Sequence, residues 1–182
     1  MTREHLRGEV GWTAPGFALP DAQGTVHDRD DLMGPAGLVV AFICNHCPYV
    51  KAVGHRMAKD AQALAEIGVG FVAVNSNDFE RYTEDAPDRM PEFARSYGFD
   101  FPYVVDADQS LARRFDAACT PEFFGLDRSG KLHYRGRLDS AAMGSDPADR
   151  TAELLDAMRL VAETGRGPDR QISAIGCSIK WR

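Results

Sequence analysis

Apolar residues first form one continuous run and then recur at helical spacing. The run from Gly37 to Ile43 is wholly apolar and partly β-branched, which indicates a strand buried on both faces. From Cys47 to Ile67 the apolar positions follow spacings of three and four residues, as on the inner face of a helix: Val50, Val53, Met57, Ala61, Leu64 and Ala65. Gly68 follows as a C-cap. The pattern predicts a buried strand that leads directly into a long amphipathic helix.

The rest of the chain alternates between short strands and helices. Strands at 17–19 and 25–27 flank a turn-rich stretch and predict an N-terminal hairpin. The elements predicted after the long helix are a strand at 69–74, a helix at 87–97, a strand at 103–105, a helix at 110–115, strands at 122–126 and 132–138, and a helix at 150–164. Helices between strands imply parallel pairs, whereas the last two strands imply an antiparallel hairpin. We therefore predict an α/β fold with a mixed central sheet flanked by helices.

The chain length indicates one domain. Its 182 residues can bury a continuous core without disulfide bonds. We assign residues 1–165 to the domain, with residues 1–12 loosely ordered, and residues 166–182 to a C-terminal tail that carries Cys177.

Composition and charge exclude several classes of partner. Apolar residues make up 44% of the chain, charged residues make up 26%, and the net charge is −6. There is no basic block interleaved with aromatic residues, which argues against nucleic acid and anionic membrane as partners. The longest apolar run is too short to span a bilayer, and the polar N-terminus lacks the apolar core of a secretory signal. These observations predict a cytoplasmic protein.

Two of the four cysteines form a C-x-x-C motif, Cys44-Asn45-His46-Cys47, at the junction of the predicted strand and helix. This spacing favours redox or metal chemistry over structural disulfides. The N-terminus of a helix offers unsatisfied N–H groups and a positive dipole, which can lower a cysteine pKa from ~8.5 to the range ~3.5–7.5. Two intervening residues in a helical first turn bring the sulfurs close enough to bond.

Two further features admit both a functional and an ordinary interpretation. His46 is either an imidazolium that stabilises a neighbouring thiolate or a solvated turn residue. Thr120-Pro121 precedes a predicted strand, so Pro121 is either an ordinary strand-start proline or a cis-proline loop that lies against the disulfide. Glycine motifs that cradle phosphates are absent, so no organic cofactor is implied.

These motifs carry a family resemblance. The strand–CxxC–helix unit, the Thr-Pro before a hairpin and the closing helix resemble the thioredoxin superfamily, and more narrowly its redoxin or peroxiredoxin-like branch related to AhpC/TSA. The resemblance covers residues 10–165 and implies a thioredoxin-like fold with an N-terminal hairpin extension. It implies that Cys44 is the exposed attacking thiol, that Cys47 resolves, that Pro121 is a cis-proline, and that Thr120 bonds a partner's backbone. The implied substrates are protein or small-molecule disulfides and thiols.

The chain departs from the thioredoxin pattern at two positions. The tryptophan usual before the first cysteine is Ile43 here, and the usual buried acid is Leu38. Any carboxylate that assists the thiols must therefore come from elsewhere in the chain.

A peroxiredoxin-like thiol peroxidase is the first alternative, with Cys47 as the peroxidatic thiol. Cys47-Pro48 matches that family's Cys-Pro, and Cys47 would then be a helix N-cap. However, Cys44 stands at the family's threonine position and Pro121 at its arginine position. Because the loss of one transition-state hydrogen-bond donor costs about 10²–10³ in rate, we rank disulfide exchange higher. Arg113 or Arg114 could substitute for the arginine.

A Sco-like metal-binding protein is the second alternative. Cys44, Cys47 and Cys119 would form a soft thiolate site for Cu(I) or zinc. Otherwise Cys119 is a small buried apolar residue. Cys177 is either an accessory redox thiol or an inert tail thiol. The preferred prediction is a thiol–disulfide oxidoreductase that uses Cys44 and Cys47.

Overall fold

The structure is a computed structural model that describes residues 8–144 and 148–182, and it contains a central sheet between two layers of helices. Its elements are β1 (Ala18–Pro20), β2 (Val26–Asp28), α1 (Arg29–Leu32), β3 (Gly37–Phe42), α2 (Pro48–Glu66), β4 (Val69–Asn75), α3 (Met90–Tyr97), β5 (Tyr103–Val105), α4 (Ser110–Phe115), β6 (Cys119–Thr120), β7 (Glu122–Leu126), β8 (Leu132–Gly136), α5 (Glu153–Thr164) and β9 (Cys177–Ser178). Two short 3₁₀ turns, Thr83–Asp85 and Pro87–Arg89, lie between β4 and α3.

The five-stranded sheet has the order β5-β4-β3-β7-β8. Strand β3 runs parallel to β4 and antiparallel to β7, and β7 forms an antiparallel hairpin with β8. The predicted mixed sheet is confirmed, and β1 and β2 form the predicted N-terminal hairpin.

The hydrophobic core lies on both faces of β3, which explains why that strand is continuously apolar. All six residues of β3 are buried. Val39 and Ala41 pack on the face covered by α2, α3 and α5, whereas Leu38, Val40 and Phe42 pack on the face covered by α4 and the N-terminal segment. Burial of a side chain the size of Phe42 contributes about 1.5–3 kcal/mol. The sheet therefore holds the C-terminal end of β3, where the CxxC begins, in a fixed position.

Helix α2 begins directly after the CxxC. Cys47 is its N-cap and Pro48 occupies its first turn, where a missing N–H costs nothing. The helix ends at Glu66, and Gly68 adopts φ +79°, a left-handed conformation that lets the chain turn back into β4.

Two helices begin later than the sequence pattern predicts. The helix predicted from 87 starts as a 3₁₀ turn and becomes α-helical at Met90, because Pro91 fits only the first turn of an α-helix. Helix α5 begins at Glu153 and not at residue 150. Arg150 lies before the helix, where the guanidinium of Arg150 bonds the buried Asp60 at 2.8 Å.

The two ends of the described chain both pack on this body. The Gly11 N–H bonds the Leu132 carbonyl at 2.8 Å, although residues 1–7 of the predicted loose N-terminus lie outside the described residues. The predicted C-terminal tail returns to the domain, where β9 pairs antiparallel with β6 and Ile179 is buried. Within residues 8–144 and 148–182, no helix is both long enough and apolar enough to cross a membrane.

Candidate active site

The CxxC spans the turn between β3 and α2. Both cysteines are present as free thiols, and both are fully buried. Cys47 caps the helix, so its sulfur lies where the first N–H groups of α2 are unsatisfied. The predicted position of the motif at a strand-to-helix junction is confirmed.

Cys44 lies beneath the loop and does not reach the surface. Its Sγ is 3.5 Å from the Thr120 hydroxyl oxygen and 3.9 Å from His46 Nδ1. The expectation that Cys44 is exposed was wrong. The reason is local, because Asn45 and His46 are held down over the sulfur by bonds to a carboxylate that the sequence did not indicate.

That carboxylate belongs to Asp85, which is fully buried. Its Oδ1 accepts the backbone N–H groups of Asn45 (2.7 Å) and His46 (3.1 Å). Its Oδ2 lies 2.6 Å from His46 Nδ1 and accepts the Asn77 amide at 2.8 Å. Four partners therefore converge on one buried charge. The buried acid of this site is therefore Asp85, which lies on the Cys44 side of the motif.

A second ring of side chains supports this network. The Tyr103 hydroxyl donates to the Asn45 side-chain oxygen at 3.0 Å, and the Asn75 amide donates to the Asp85 carbonyl at 2.8 Å. Burial raises the pKa of Tyr103 well above its usual value, so this hydroxyl remains a donor. Tyr82 stacks on His46 with ring centroids 5.7 Å apart. The loop between the cysteines is thus fixed at its backbone and at both side chains.

Cys47 has different neighbours. When protonated, it donates to the Thr120 carbonyl oxygen, 3.1 Å from its Sγ. Cys177 packs against the core cluster that contains Cys47, and Cys47 itself caps the first turn of α2. The C-terminal segment therefore takes part in the site, which the sequence left open.

These surroundings separate the two thiols electrostatically. Hydrogen bonds from Cys44, then from Cys177 and the Val50 N–H, lower the pKa of Cys47 and outweigh its burial. The pKa of Cys44 is raised by its bond to Cys47, by burial and by the negative charge of Asp85. The Thr120 carbonyl accepts the Cys47 proton and so favours the protonated thiol. Several neighbouring groups favour the thiolate instead, and their combined effect on the Cys47 pKa is larger. The first negative charge of the reduced site therefore lies on Cys47.

The Thr120-Pro121 peptide bond is cis, as the functional interpretation of that dipeptide predicted. Thr120 presents its hydroxyl to Cys44 and its carbonyl to Cys47, at the distances given above. Strands β6 and β7 on either side of the bond hold this loop against both sulfurs.

The structure does not gather the predicted soft-metal set. Among the described residues, the possible metal ligands whose ligand atoms all lie within 4.8 Å of one another are Cys44, His46 and Asp85. Cys119 does not belong to this group. Cys119 is half-buried and its Sγ lies 3.9 Å from the Pro121 carbonyl. Burial and the charge of Glu122 raise its pKa to about 11. A thiolate site built from Cys44, Cys47 and Cys119 was the wrong grouping.

The two arginines considered for peroxide chemistry bond elsewhere. Arg114 donates to the Gly16 carbonyl at 2.9 Å. The Arg113 guanidinium lies over the Trp181 ring, 4.5 Å from its centroid. Neither contact favours the peroxidase alternative.

A cleft of about 460 Å³ opens beside the loop that covers Cys44. It is polar and contains both histidines of this region. Its lining includes Asn45, His46, Lys51, His55, Glu84 and Tyr97. The cleft gives a partner an approach to the Cys44 side of the motif.

The fold and the site together define a thioredoxin-like protein that carries a CxxC beside a cis-proline. The chain belongs to the AhpC/TSA family, whose model matches residues 10–135. It is 30% identical over 122 residues to the thiol-disulfide oxidoreductase ResA of Bacillus subtilis, which covers 67% of this chain and 64% of that relative. The chain thus spans a little under two thirds of the length of that curated relative.

Two solved structures match almost the whole chain. An uncharacterized conserved protein from Geobacillus kaustophilus is 42% identical, with a TM-score of 0.89 over 99% of this chain and 96% of that one. A hypothetical protein from Sinorhizobium meliloti 1021 is 39% identical, with a TM-score of 0.89 over 96% of this chain and 95% of that one. The similarity therefore extends through the C-terminal segment.

Proposed function

We propose that the protein is a thiol–disulfide oxidoreductase that cycles between a Cys44/Cys47 dithiol and disulfide. The observation that carries this proposal is the pairing of two chemically unlike thiols against one cis-proline loop. The lowered pKa of Cys47 and the raised pKa of Cys44 give the reduced site one thiolate and one thiol. Its relative ResA, a thiol-disulfide oxidoreductase, supports the same reaction class.

The proposed roles follow from access. Asn45 and His46, which cover Cys44, also line the open cleft, whereas the Cys47 sulfur faces Thr120 and Cys177. A partner disulfide in the cleft reaches Cys44 once the covering loop shifts. Cys47 remains behind it and acts as the resolving thiol.

The first step begins with proton transfer between the hydrogen-bonded thiols. Cys44 gives its proton to the Cys47 thiolate and attacks one sulfur of the partner disulfide. The partner's S–S bond breaks, a mixed disulfide with Cys44 forms, and the departing partner thiolate takes the proton from Cys47. Cys47 is then a thiolate again.

In the second step, Cys47 attacks the Cys44 sulfur. The mixed disulfide breaks, the Cys44–Cys47 disulfide forms, and the second partner thiolate leaves and takes a proton from water. The partner disulfide is reduced to two thiols and the protein dithiol is oxidised. The reverse sequence oxidises a partner dithiol.

We propose protein or small-molecule disulfides and thiols as substrates and the cytoplasm as the location. Direct reduction of peroxide ranks lower, because Cys44 and Pro121 stand where the peroxidase alternative needs a threonine and an arginine. Rapid-mixing measurements should therefore show slow peroxide consumption, which is a test independent of the exchange reaction.

Trapping of mixed disulfides tests the assignment of roles. We expect Cys47→Ser to accumulate an adduct with an oxidised protein partner through Cys44, and Cys44→Ser to accumulate little. Non-reducing electrophoresis detects the adduct, and peptide mapping identifies the cysteine. Cys119→Ser is the matched control and should behave as wild type. Adducts that form only through Cys47 would reverse the roles and favour the peroxiredoxin-like alternative.

A further inference from the structure

The C-terminal segment, residues 176–182, is anchored by its backbone. The Lys180 carbonyl accepts the Asp78 N–H and the Gln109 side-chain amide, each at 2.8 Å. The Lys180 N–H donates to the Asn77 side-chain oxygen at 2.9 Å. The Arg182 N–H donates to the Gln109 side-chain oxygen at 2.9 Å. Such a segment holds a side chain near its start in a defined position.

This anchoring sets Cys177 directly against the cis-proline loop. In the pairing of β6 with β9, Cys177 stands opposite Thr120, the residue whose carbonyl lies 3.1 Å from Cys47 Sγ. Gly176 packs so closely that a Cβ there would overlap the Thr120 carbonyl oxygen. The close approach of the segment therefore depends on a glycine at this position.

The Cys177 side chain meets the dithiol. It packs against the core cluster that contains Cys44 and Cys47. Cys44 and Cys47 are fully buried, whereas Cys177 is partly exposed. Cys177 and Cys47 thus lie against the same residue, Thr120, and Cys177 is the more exposed of the two.

Charge keeps Cys177 protonated while the site is reduced. Burial and the neighbouring Cys47 raise the pKa of Cys177 to about 11. Oxidation of Cys47 removes its negative charge, and the part of the raised Cys177 pKa that this charge causes is then lost. Cys177 is therefore an idle thiol beside the reduced pair and a better nucleophile beside the oxidised pair.

We propose that Cys177 is a third redox thiol, which converts the Cys44–Cys47 disulfide into a Cys47–Cys177 disulfide and releases Cys44. This inference rests on the proposed function and identifies where reducing equivalents enter the site. The Cys177 sulfur loses its proton and attacks Cys47, the Cys44–Cys47 bond breaks, and Cys44 leaves as a thiolate that takes up the proton. No external oxidant or reductant is consumed. A reducing dithiol then reaches the more exposed Cys177 sulfur.

Tryptic peptides separate the three cysteines well enough to test this step. Peptide 30–51 carries Cys44 and Cys47, peptide 171–180 carries Cys177, and peptide 115–128 carries Cys119. The full-length protein is oxidised with glutathione disulfide, quenched in acid, alkylated and digested without reduction. Mass spectrometry then reports which peptides are joined and which cysteines are alkylated.

We expect wild type to yield peptide 30–51 joined to peptide 171–180, with Cys44 alkylated, beside peptide 30–51 with an internal disulfide. Cys177→Ser should give only the internal disulfide, and Cys44→Ser should give only the joined pair. Cys119→Ser should match wild type.

A conformational variant keeps every cysteine in place. Gly176→Ala should push the segment from Thr120 and reduce the joined fraction several-fold, whereas Gly16→Ala, where a Cβ meets no atom within 4 Å, should leave it unchanged.

Two results would overturn the inference. In the first, Cys177 is fully alkylated in wild type while the Cys44–Cys47 disulfide forms. In the second, peptide 115–128 is joined in place of peptide 171–180. Failure of the proposed function is distinguishable, because Cys177→Ser would then form no internal disulfide in peptide 30–51.

Discussion

Two segments far from the CxxC in the chain contact it in the fold, and they act on its two cysteines in opposite senses. The 3₁₀ turn that ends at Asp85 brings a buried carboxylate to the Cys44 side, where its charge raises the thiol pKa. The C-terminal segment brings hydrogen-bond donors to the Cys47 side, where they lower the thiol pKa. The asymmetry of the dithiol therefore comes from residues outside the four-residue motif, in addition to its place at a helix N-terminus.

The two segments also differ in what they can do chemically. Asp85 is a fixed charge, fully buried and bonded to four donors, so it positions the loop without taking part in sulfur exchange. Cys177 is itself a thiol at a partly exposed position, so it can exchange. Substitutions in the motif should affect the exchange reaction itself. Substitutions at Asp85 should affect the position of the covering loop, and substitutions in the C-terminal segment should affect the pKa of Cys47.

The largest effect is expected when a sulfur of the motif is removed. Cys44→Ser and Cys47→Ser should each reduce disulfide turnover to the background rate, because Cys44 forms the mixed disulfide and Cys47 resolves it, so the full cycle needs both thiols. Insulin reduction by a supplied dithiol measures this activity. Cys119→Ser should retain wild-type turnover. Retained turnover in either motif variant would show that the chemistry lies elsewhere.

Replacement of the buried carboxylate should have the next largest effect. Asp85→Asn loses charge-assisted bonds to the His46 ring and the Asn77 amide, so we expect a loss of about 1–3 kcal/mol in the free energy of unfolding. Urea unfolding of the reduced protein measures it. Glu84→Gln is the matched control, because Glu84 contributes its backbone carbonyl to Asn45.

The same variant should lower the pKa of Cys44, since a negative charge beside that thiol is removed. Thiolate absorbance against pH isolates this thiol in a background that carries Cys47→Ser, Cys119→Ser and Cys177→Ser, because Cys44 is then the one cysteine left in the chain. A Cys44 pKa that stays the same or rises would contradict the electrostatic role of Asp85.

A smaller effect is expected at His46. His46→Ala should lower the reduction potential by ~30 mV, equivalent to about 1.4 kcal/mol, because the reduced form loses the contact between the His46 ring and the Cys44 thiol, 3.9 Å from Nδ1 to Sγ. Equilibration in redox buffers measures the potential. His55→Ala removes a histidine that lines the same cleft and should leave the potential unchanged. Equal potentials in wild type and His46→Ala would mean that His46 only covers the loop.

The smallest effect is expected from the C-terminal segment. Cys177→Ala removes a hydrogen-bond donor to Cys47, worth about 1 kcal/mol, and so should raise the Cys47 pKa by about 0.7 units. In the wild type, the lowered pKa keeps Cys47 a thiolate down to a lower pH. As the pH is decreased, the variant should therefore lose its thiolate absorbance at a higher pH than the wild type does. A midpoint that does not move would show that the segment leaves Cys47 unaffected.

Local sequence signals were sufficient for the parts of the site that neighbour each other in the chain. The apolar run of β3, the helical spacing of α2 and the CxxC between them predict the junction and the N-cap at Cys47. Thr120-Pro121 was identified because its position before a hairpin matches the family pattern. These features depend on residues within one or two turns of each other.

The remaining contacts have no local signal. Asp85 lies forty residues from Asn45, in a polar stretch without strand or helix periodicity, so nothing in the sequence aims it at the motif. The β6–β9 pairing involves two residues on each strand, too few to show a pattern. Cys44 was expected at the surface because the covering effect of Asp85 on Asn45 and His46 was not foreseen. Long-range polar contacts therefore determine what the motif alone leaves open.

A redox titration of the full-length Cys177→Ser variant, followed through its tryptic peptide 30–51, tests the central claim most directly. The variant, equilibrated across glutathione buffers of increasing oxidation, is quenched, alkylated and digested. We predict one two-electron transition in which Cys44 and Cys47 lose reactivity to alkylation together and the peptide loses two hydrogens. Two thiols that remain alkylatable across the whole range, in a variant that retains wild-type circular dichroism, would contradict a Cys44/Cys47 dithiol–disulfide cycle.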